Sequence, residues 1–183
     1  MALLKLENGN TFTDLNDIRA ELAELKIELS HWPIEKTPKV GPLLKADTLT
    51  DEQKETLLKE LDGRFEEQKK LYGYQTRDLV VLHAQVPKLE EMLKIFDKCH
   101  KHSDDEVRYI VDGSGTFGFC LPNGKQATLT VEAEEYIRVP ANTEHWFVLD
   151  DNRRIKAVRY FTSKEGWVAN YTGTTVRLGA TRT

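Results

Sequence analysis

The stretch Cys99-His100-Lys101-His102-Ser103-Asp104-Asp105-Glu106-Val107-Arg108 gathers the side chains of this sequence best suited to bind an ion. Histidines two apart on an extended segment project to the same side, so His100 and His102 can offer imidazole nitrogens to one cation. The polar interval Ser103-Asp104-Asp105 can turn the chain and return Glu106 to the same cavity, where a carboxylate adds charge neutralisation to two neutral imidazoles. His145, after the turn Pro140-Ala141-Asn142-Thr143-Glu144, brings a third imidazole from a distant strand. A lone H-x-H would read as a solvated strand end. Three of the five histidines fall in these two segments, however, and together with Glu106 they read as a site for one divalent transition metal.

Arg108 follows Glu106 by two residues, so on a strand it faces the same cavity and offers fixed positive charge to an anionic substrate. That makes it the expected catalytic and substrate-binding arginine, against the plainer reading of a surface ion pair. Arg159 reads equally as a second such charge from another strand or as a surface pair. Glu144 adjoins His145, and alternation turns it to the opposite side, so a surface or supporting role fits better than that of a general base. His31, at the expected end of a helix beside Trp32, suits the helix C-terminus. His83 continues an apolar strand, and neither histidine is expected to bind an ion. Cys99 and Cys120 are too few for a disulfide framework and are expected as reduced, mostly buried thiols.

These residues need a scaffold, and the hydrophobic pattern supplies one. Leu15, Ile18, Leu22, Leu25 and Leu29 recur at steps of three and four, which predicts an amphipathic helix over 13–29 that Pro33 stops. A second helix is expected from the capping-box pattern Thr50-Asp51-Glu52-Gln53, with Leu57, Leu58, Leu61 and Phe65 on its buried side. Leu79 to Leu82 suit a buried strand, and Pro87 opens a short helix through about Phe96. Beyond Lys98 six short strands are expected, at 107–111, 116–121, 127–131, 136–139, 146–149 and 155–161. Asp112-Gly113-Ser114-Gly115 and Pro122-Asn123-Gly124 read as turns between them. Helices first and strands afterwards give an α+β order dominated by β structure, a compact antiparallel sandwich or barrel. The expected layout is one domain: an N-terminal helical segment (1–76) packed on a barrel (77–170), followed by a poorly ordered tail (171–183).

Composition narrows the function classes. A net charge of −4 over 183 residues, without a Lys/Arg-rich stripe, gives no electrostatic footprint for nucleic acid or an anionic membrane. No apolar run reaches the roughly 20 residues of a membrane helix, and the opening Met-Ala-Leu-Leu-Lys is no signal segment, so a cytoplasmic protein is expected.

The histidine pair, Glu106 and the Pro140 to His145 segment resemble the paired motifs of the cupin superfamily, whose fold is a double-stranded β-helix barrel with the metal inside. More narrowly, the run Asp105-Glu-Val-Arg-Tyr-Ile-Val-Asp-Gly-Ser-Gly-Thr-Phe-Gly-Phe119 resembles the acireductone dioxygenase family. The likeness extends from Tyr72-Gly-Tyr-Gln-Thr-Arg-Asp78 to Phe161-Thr-Ser-Lys-Glu-Gly-Trp167. Glu134 and Asn142 depart from the general cupin pattern, which has glycine at both places; neither is a ligand. The resemblance implies Fe(II) or Ni(II), one per chain, held by His100, His102, Glu106 and His145. Its substrates would be acireductone and O2 in methionine salvage. Fe(II) would give 4-methylthio-2-oxobutanoate and formate, and Ni(II) methylthiopropionate, formate and carbon monoxide. Three imidazoles and one carboxylate leave two octahedral positions for a bidentate enediolate. Phe96, Phe147 and Trp167 match family positions that line an apolar substrate pocket, their alternative being core packing. A monomer is expected, the helical segment covering a barrel face that other cupins bury by dimerising. The competing readings are another cupin dioxygenase, a sugar-phosphate isomerase, or a metal-binding cupin without activity.

Overall fold

The computed structural model describes residues 1–163 and 167–179. Its strands are β1 (Leu3–Leu6), β2 (Thr11–Phe12), β3 (Glu28–His31), β4 (Thr76–His83), β5 (His100–Lys101), β6 (Glu106–Cys120), β7 (Gln126–Glu132), β8 (Glu135–Val139), β9 (His145–Leu149), β10 (Arg154–Phe161) and β11 (Asn170–Tyr171). The helices are α1 (Leu15–Glu21), α2 (Val40–Lys45), α3 (Asp51–Tyr72) and α4 (Leu89–Leu93). None of them is long and apolar enough to cross a membrane.

All the strand pairings are antiparallel, and β6 belongs to two layers. Its first half pairs with β8 and β10, in the order β4-β10-β6-β8-β3, and its second half pairs with β7 and β9, in the order β11-β5-β9-β6-β7-β1-β2. The two layers enclose one apolar interior, the mainly β cupin barrel expected from the motifs. The segment 112–115 is therefore not a turn but the bend in one 15-residue strand. Gly113 makes the bend with φ at +74°, and a Cβ there would lie 2.0 Å from the Arg154 carbonyl oxygen.

Period-two alternation sorts β6 cleanly. Val107, Tyr109 and Val111 face outward with Tyr136, Val158 and Tyr160, under a layer formed by Trp32, Leu44, Leu57, Leu58 and Phe65. Two of the outward tyrosines have bonded hydroxyls: Tyr109 Oη donates to the Trp32 carbonyl at 2.8 Å and Tyr136 Oη to Gln68 Oε1 at 3.0 Å. Glu106, Arg108 and Ile110 consequently face inward. Helix α3 begins where the sequence places it, because the Thr50 side chain accepts from the Gln53 amide while the Gln53 side chain accepts from the Thr50 amide. Gly73, in the left-handed conformation, ends it.

The helix expected over 13–29 is shorter than its leucine spacing suggests. Helix α1 ends at Glu21, a single 3-10 turn covers Ala23–Leu25, and Lys26 leaves it with φ at +54°. Leu29 then lies on β3 opposite Ile137, so pairing to the barrel edge takes residues whose spacing looked helical. β1 likewise pairs with β7. His31 therefore ends a strand, not a helix, with Nε2 3.9 Å from Glu134 Oε2. The helix expected to open at Pro87 begins at Leu89, after Lys88 adopts a left-handed conformation, and ends at Leu93.

The tail expected to be poorly ordered is docked as far as it is described. Arg177 pairs with Glu7 (Nε to Oε1 2.7 Å), and Gln126 Nε2 donates to the Thr175 carbonyl at 2.8 Å. Residues 180–183 lie outside the described part. Glu134 and Asn142, which replace the cupin glycines, both adopt positive φ, at +72° and +63°.

Candidate metal centre

His145 opens β9 and stands opposite both His100 on β5 and Phe119 on β6. Glu106 opens β6 four residues after His102. The asparagine turn is tied back to the first motif, since the Asn142 amide donates to the His102 carbonyl at 2.8 Å and the Ala141 amide to Asp105 Oδ1 at 2.9 Å. One backbone–backbone bond and one bond to the Asp105 carboxylate thus join the two motifs. The result is that one ligand atom from each of His100, His102, Glu106 and His145 lies within 4.8 Å of the others. All four side chains are at most 2% exposed.

Each imidazole is oriented by a backbone carbonyl. His100 Nδ1 lies 2.6 Å from Lys98 O, His102 Nδ1 2.7 Å from Val168 O, and His145 Nδ1 2.8 Å from Thr143 O. A carbonyl only accepts, so each Nδ1 carries the proton and each Nε2 is left as a lone pair in the neutral ring. Those three Nε2 atoms turn inward. His100 Nε2 is buried with no hydrogen-bond partner, and His102 Nε2 lies 2.8 Å from Glu106 Oε2 without hydrogen-bond directionality. His145 Nε2 shares a hydrogen bond with the same oxygen at 3.0 Å. Buried polar atoms without partners are costly, and two unpartnered ring nitrogens, with a third and a carboxylate around the same point, suit a cation there.

The charges agree with that arrangement. Burial, and next the neighbouring His145, depress His100 to about 4, which keeps it neutral at neutral pH. Burial alone would raise Glu106, but the Arg108 guanidinium and the two histidines outweigh it and hold the carboxyl well below the usual range. Burial lowers His102, and the Glu106 carboxylate more than reverses this, raising it.

Arg108 is brought into the site as its spacing predicts. Its Nε donates to Glu106 Oε1 at 2.8 Å, and its guanidinium lies 4.5 Å from the Phe147 ring centre and 5.7 Å from those of Phe117 and Trp167. Trp167 also approaches His102, at 6.1 Å between ring centres, and Phe96 approaches His100 at 5.8 Å. Phe147 meets Phe117 edge to face at 5.1 Å. Arg159 stands further out. It is opposite Arg108 in register, but Asp78 on β4 binds it in a fork at 2.8 and 2.6 Å, and its nearest rings are Phe161 and Trp167. His83 lies apart from the site, at the end of β4. Glu144 faces away from the cavity and accepts a hydrogen bond from the Thr172 hydroxyl.

Sequence reasoning did not find the three carbonyls that orient the imidazoles, because a backbone group leaves no mark in residue type. Phe117 beneath Arg108 was also missed, although its odd position on β6 beyond the bend could have shown it facing inward.

Residues 14–169 match the model of the ARD/ARD' family. Acireductone dioxygenase of Microcystis aeruginosa is 54% identical over 178 residues, covering 97% of each chain. That of Trichodesmium erythraeum is 51% identical over 178 residues, covering 97% of this chain and 98% of the relative. Among solved structures, acireductone dioxygenase from Bacillus anthracis with a cadmium ion in its active centre superimposes with a TM-score of 0.87 at 33% identity, over 93% of this chain and 98% of that one. Nearly full-length likeness in sequence and in backbone thus agrees with the buried four-residue cluster: the chain belongs to the ARD/ARD' family.

Proposed function

We propose that this protein is a metal-dependent dioxygenase that cleaves acireductone, 1,2-dihydroxy-3-keto-5-methylthiopentene, with O2. His100, His102, Glu106 and His145 would hold one Fe(II) or Ni(II). The observation that carries the reading is the convergence of three carbonyl-oriented imidazoles and one carboxylate within 4.8 Å, in a chain of this family. When bound, the ion supplies Lewis acidity toward the two enediol oxygens and a template that brings substrate and dioxygen together.

The chain's own residues do the rest. The Lys98, Thr143 and Val168 carbonyls fix the ligand tautomers, so that Nε2 of each ring is the atom turned toward the ion. Glu106 contributes negative charge and is itself held by Arg108. The Arg108 guanidinium places a permanent positive charge against the cavity, which favours the enediolate over the enediol of the substrate. Phe96, Phe147 and Trp167 exclude water and offer aromatic surface to a methylthio group. Arg159, paired with Asp78, lies 5.4 Å from the Trp167 ring centre and would support that side chain. The expected products are 4-methylthio-2-oxobutanoate and formate with Fe(II), or methylthiopropionate, formate and carbon monoxide with Ni(II). This activity belongs to methionine salvage in the cytoplasm, carried out by a monomer.

The test is to strip the protein with a chelator, reload it with Fe(II) or Ni(II), and supply acireductone with oxygen. The iron form should release formate and the oxo-acid, and the nickel form carbon monoxide. A fully loaded sample inert toward both reactants would overturn the proposal.

A further inference from the structure

Alternation along the strands that carry the metal centre gathers a second set of donors on their other face. Cys99, Glu144 and Cys120 adjoin His100, His145 and Phe119 in sequence. One backbone bond joins two of these segments, the Cys120 amide donating to the Glu144 carbonyl at 3.1 Å, and Thr172 links the third to them, its amide donating to the Cys99 carbonyl at 3.1 Å and its hydroxyl to the Glu144 carboxylate. The two sulfurs are 3.7 Å apart, and both lie with a Glu144 carboxylate oxygen within 4.8 Å of one another. Cys99 is buried, whereas Cys120 and Glu144 are half-buried, so the group is reachable from solvent.

We propose that Cys99, Cys120 and Glu144 form a second ion site, selective for a soft divalent cation of the zinc type. The sulfur separation carries the argument. Two thiolates on one tetrahedral ion, each bonded at about 2.3 Å, stand roughly 3.75 Å apart. The thiols, which share a sulfur–sulfur hydrogen bond at 3.7 Å, already have that spacing, so loading would replace the shared proton without moving the strands. A disulfide would instead need the sulfurs at about 2.05 Å, a closure of roughly 1.6 Å between segments held by backbone bonds. Glu144 provides the third donor and is oriented by the Thr172 hydroxyl; water completes the tetrahedron. Loading exchanges two thiol protons for one divalent cation, with no redox change.

This site is independent of the proposed activity, and sulfur distinguishes the two, since the histidine cluster contains none. The reduced full-length protein, kept under a phosphine reductant, is titrated with Cd2+ as a spectroscopic probe and then with Zn2+ as competitor. The wild type should bind two cadmium ions per chain and develop the ultraviolet cadmium-thiolate charge-transfer absorption, which zinc removes. Cys120→Ser should bind one ion without that absorption, while His102→Ala keeps the absorption. Glu144→Gln should weaken the thiolate site by about 10-fold or more. Circular dichroism establishes that each variant is folded. If reduced, folded wild-type protein showed no thiolate absorption, or folded Cys120→Ser still bound two ions, the proposal would fail.

Discussion

The two faces of the first half of β6 are equally buried and serve opposite ends. Val107, facing α3, is 0% exposed, and Glu106, one residue earlier and facing the barrel, is 2% exposed. Outward, Val107, Tyr109 and Val111 contribute by removing apolar surface from water. Inward, Glu106 and Arg108 must be desolvated, and their mutual bond, the two histidines beside Glu106, the rings around Arg108 and a bound cation offset that cost. A single step of register separates what holds the fold from what the fold is for, and a one-residue slip would exchange them.

The inner face should give the largest response. Glu106→Ala removes a ligand and leaves Arg108 buried without its partner. Metal affinity should fall by more than the roughly 100-fold typical of losing a supporting group, and stability by about 3–5 kcal/mol. Metal analysis and urea unfolding of the chelated protein measure the two effects separately. On the outer face, Phe65→Ala should cost a similar 3–5 kcal/mol or so yet leave one histidine-bound ion per folded chain. Loss of that ion from folded Phe65→Ala protein would break the comparison.

Smaller changes sharpen it. Thr50→Ala removes the α3 cap, so the unfolding free energy from denaturant titration should fall by about 1 kcal/mol with turnover unaffected. The smallest effect concerns the docked tail. Hydrogen bonds from Arg177, and then from the Gln126 amide, hold the Glu7 carboxyl down at about 2 from its ordinary 4.5. Because the folded value is the lower one, this contact contributes above pH 4.5 and is lost as pH falls toward 2. Amide protection factors at Arg177 and Leu178, taken relative to intrinsic exchange, should therefore fall across that window, and Arg177→Ala should abolish that dependence of protection on pH.

The inner face of β6 was legible before any coordinates because its signal is local. His100 and His102, or Glu106 and Arg108, need only the two-residue period of a strand, and α3 announces itself through Thr50 and Gln53. What escaped depends on tertiary pairing. Leu22, Leu25 and Leu29 keep a helical spacing, yet Leu29 finds its partner at Ile137, more than a hundred residues away. Gly113 reads as a turn residue, but the Arg154 carbonyl packed against it makes it a bend within a strand. The fork between Arg159 and Asp78 exists only because β4 and β10 are neighbours, and their adjacency has no signature in either segment.

The convergence of three imidazoles on one ion can be measured most directly by X-ray absorption at the metal edge of Fe(II)- or Ni(II)-loaded protein, wild type beside His145→Ala. Scattering from three imidazole rings in the wild type and two in the variant is the expected outcome. An unchanged ring count with full metal occupancy in His145→Ala would contradict it.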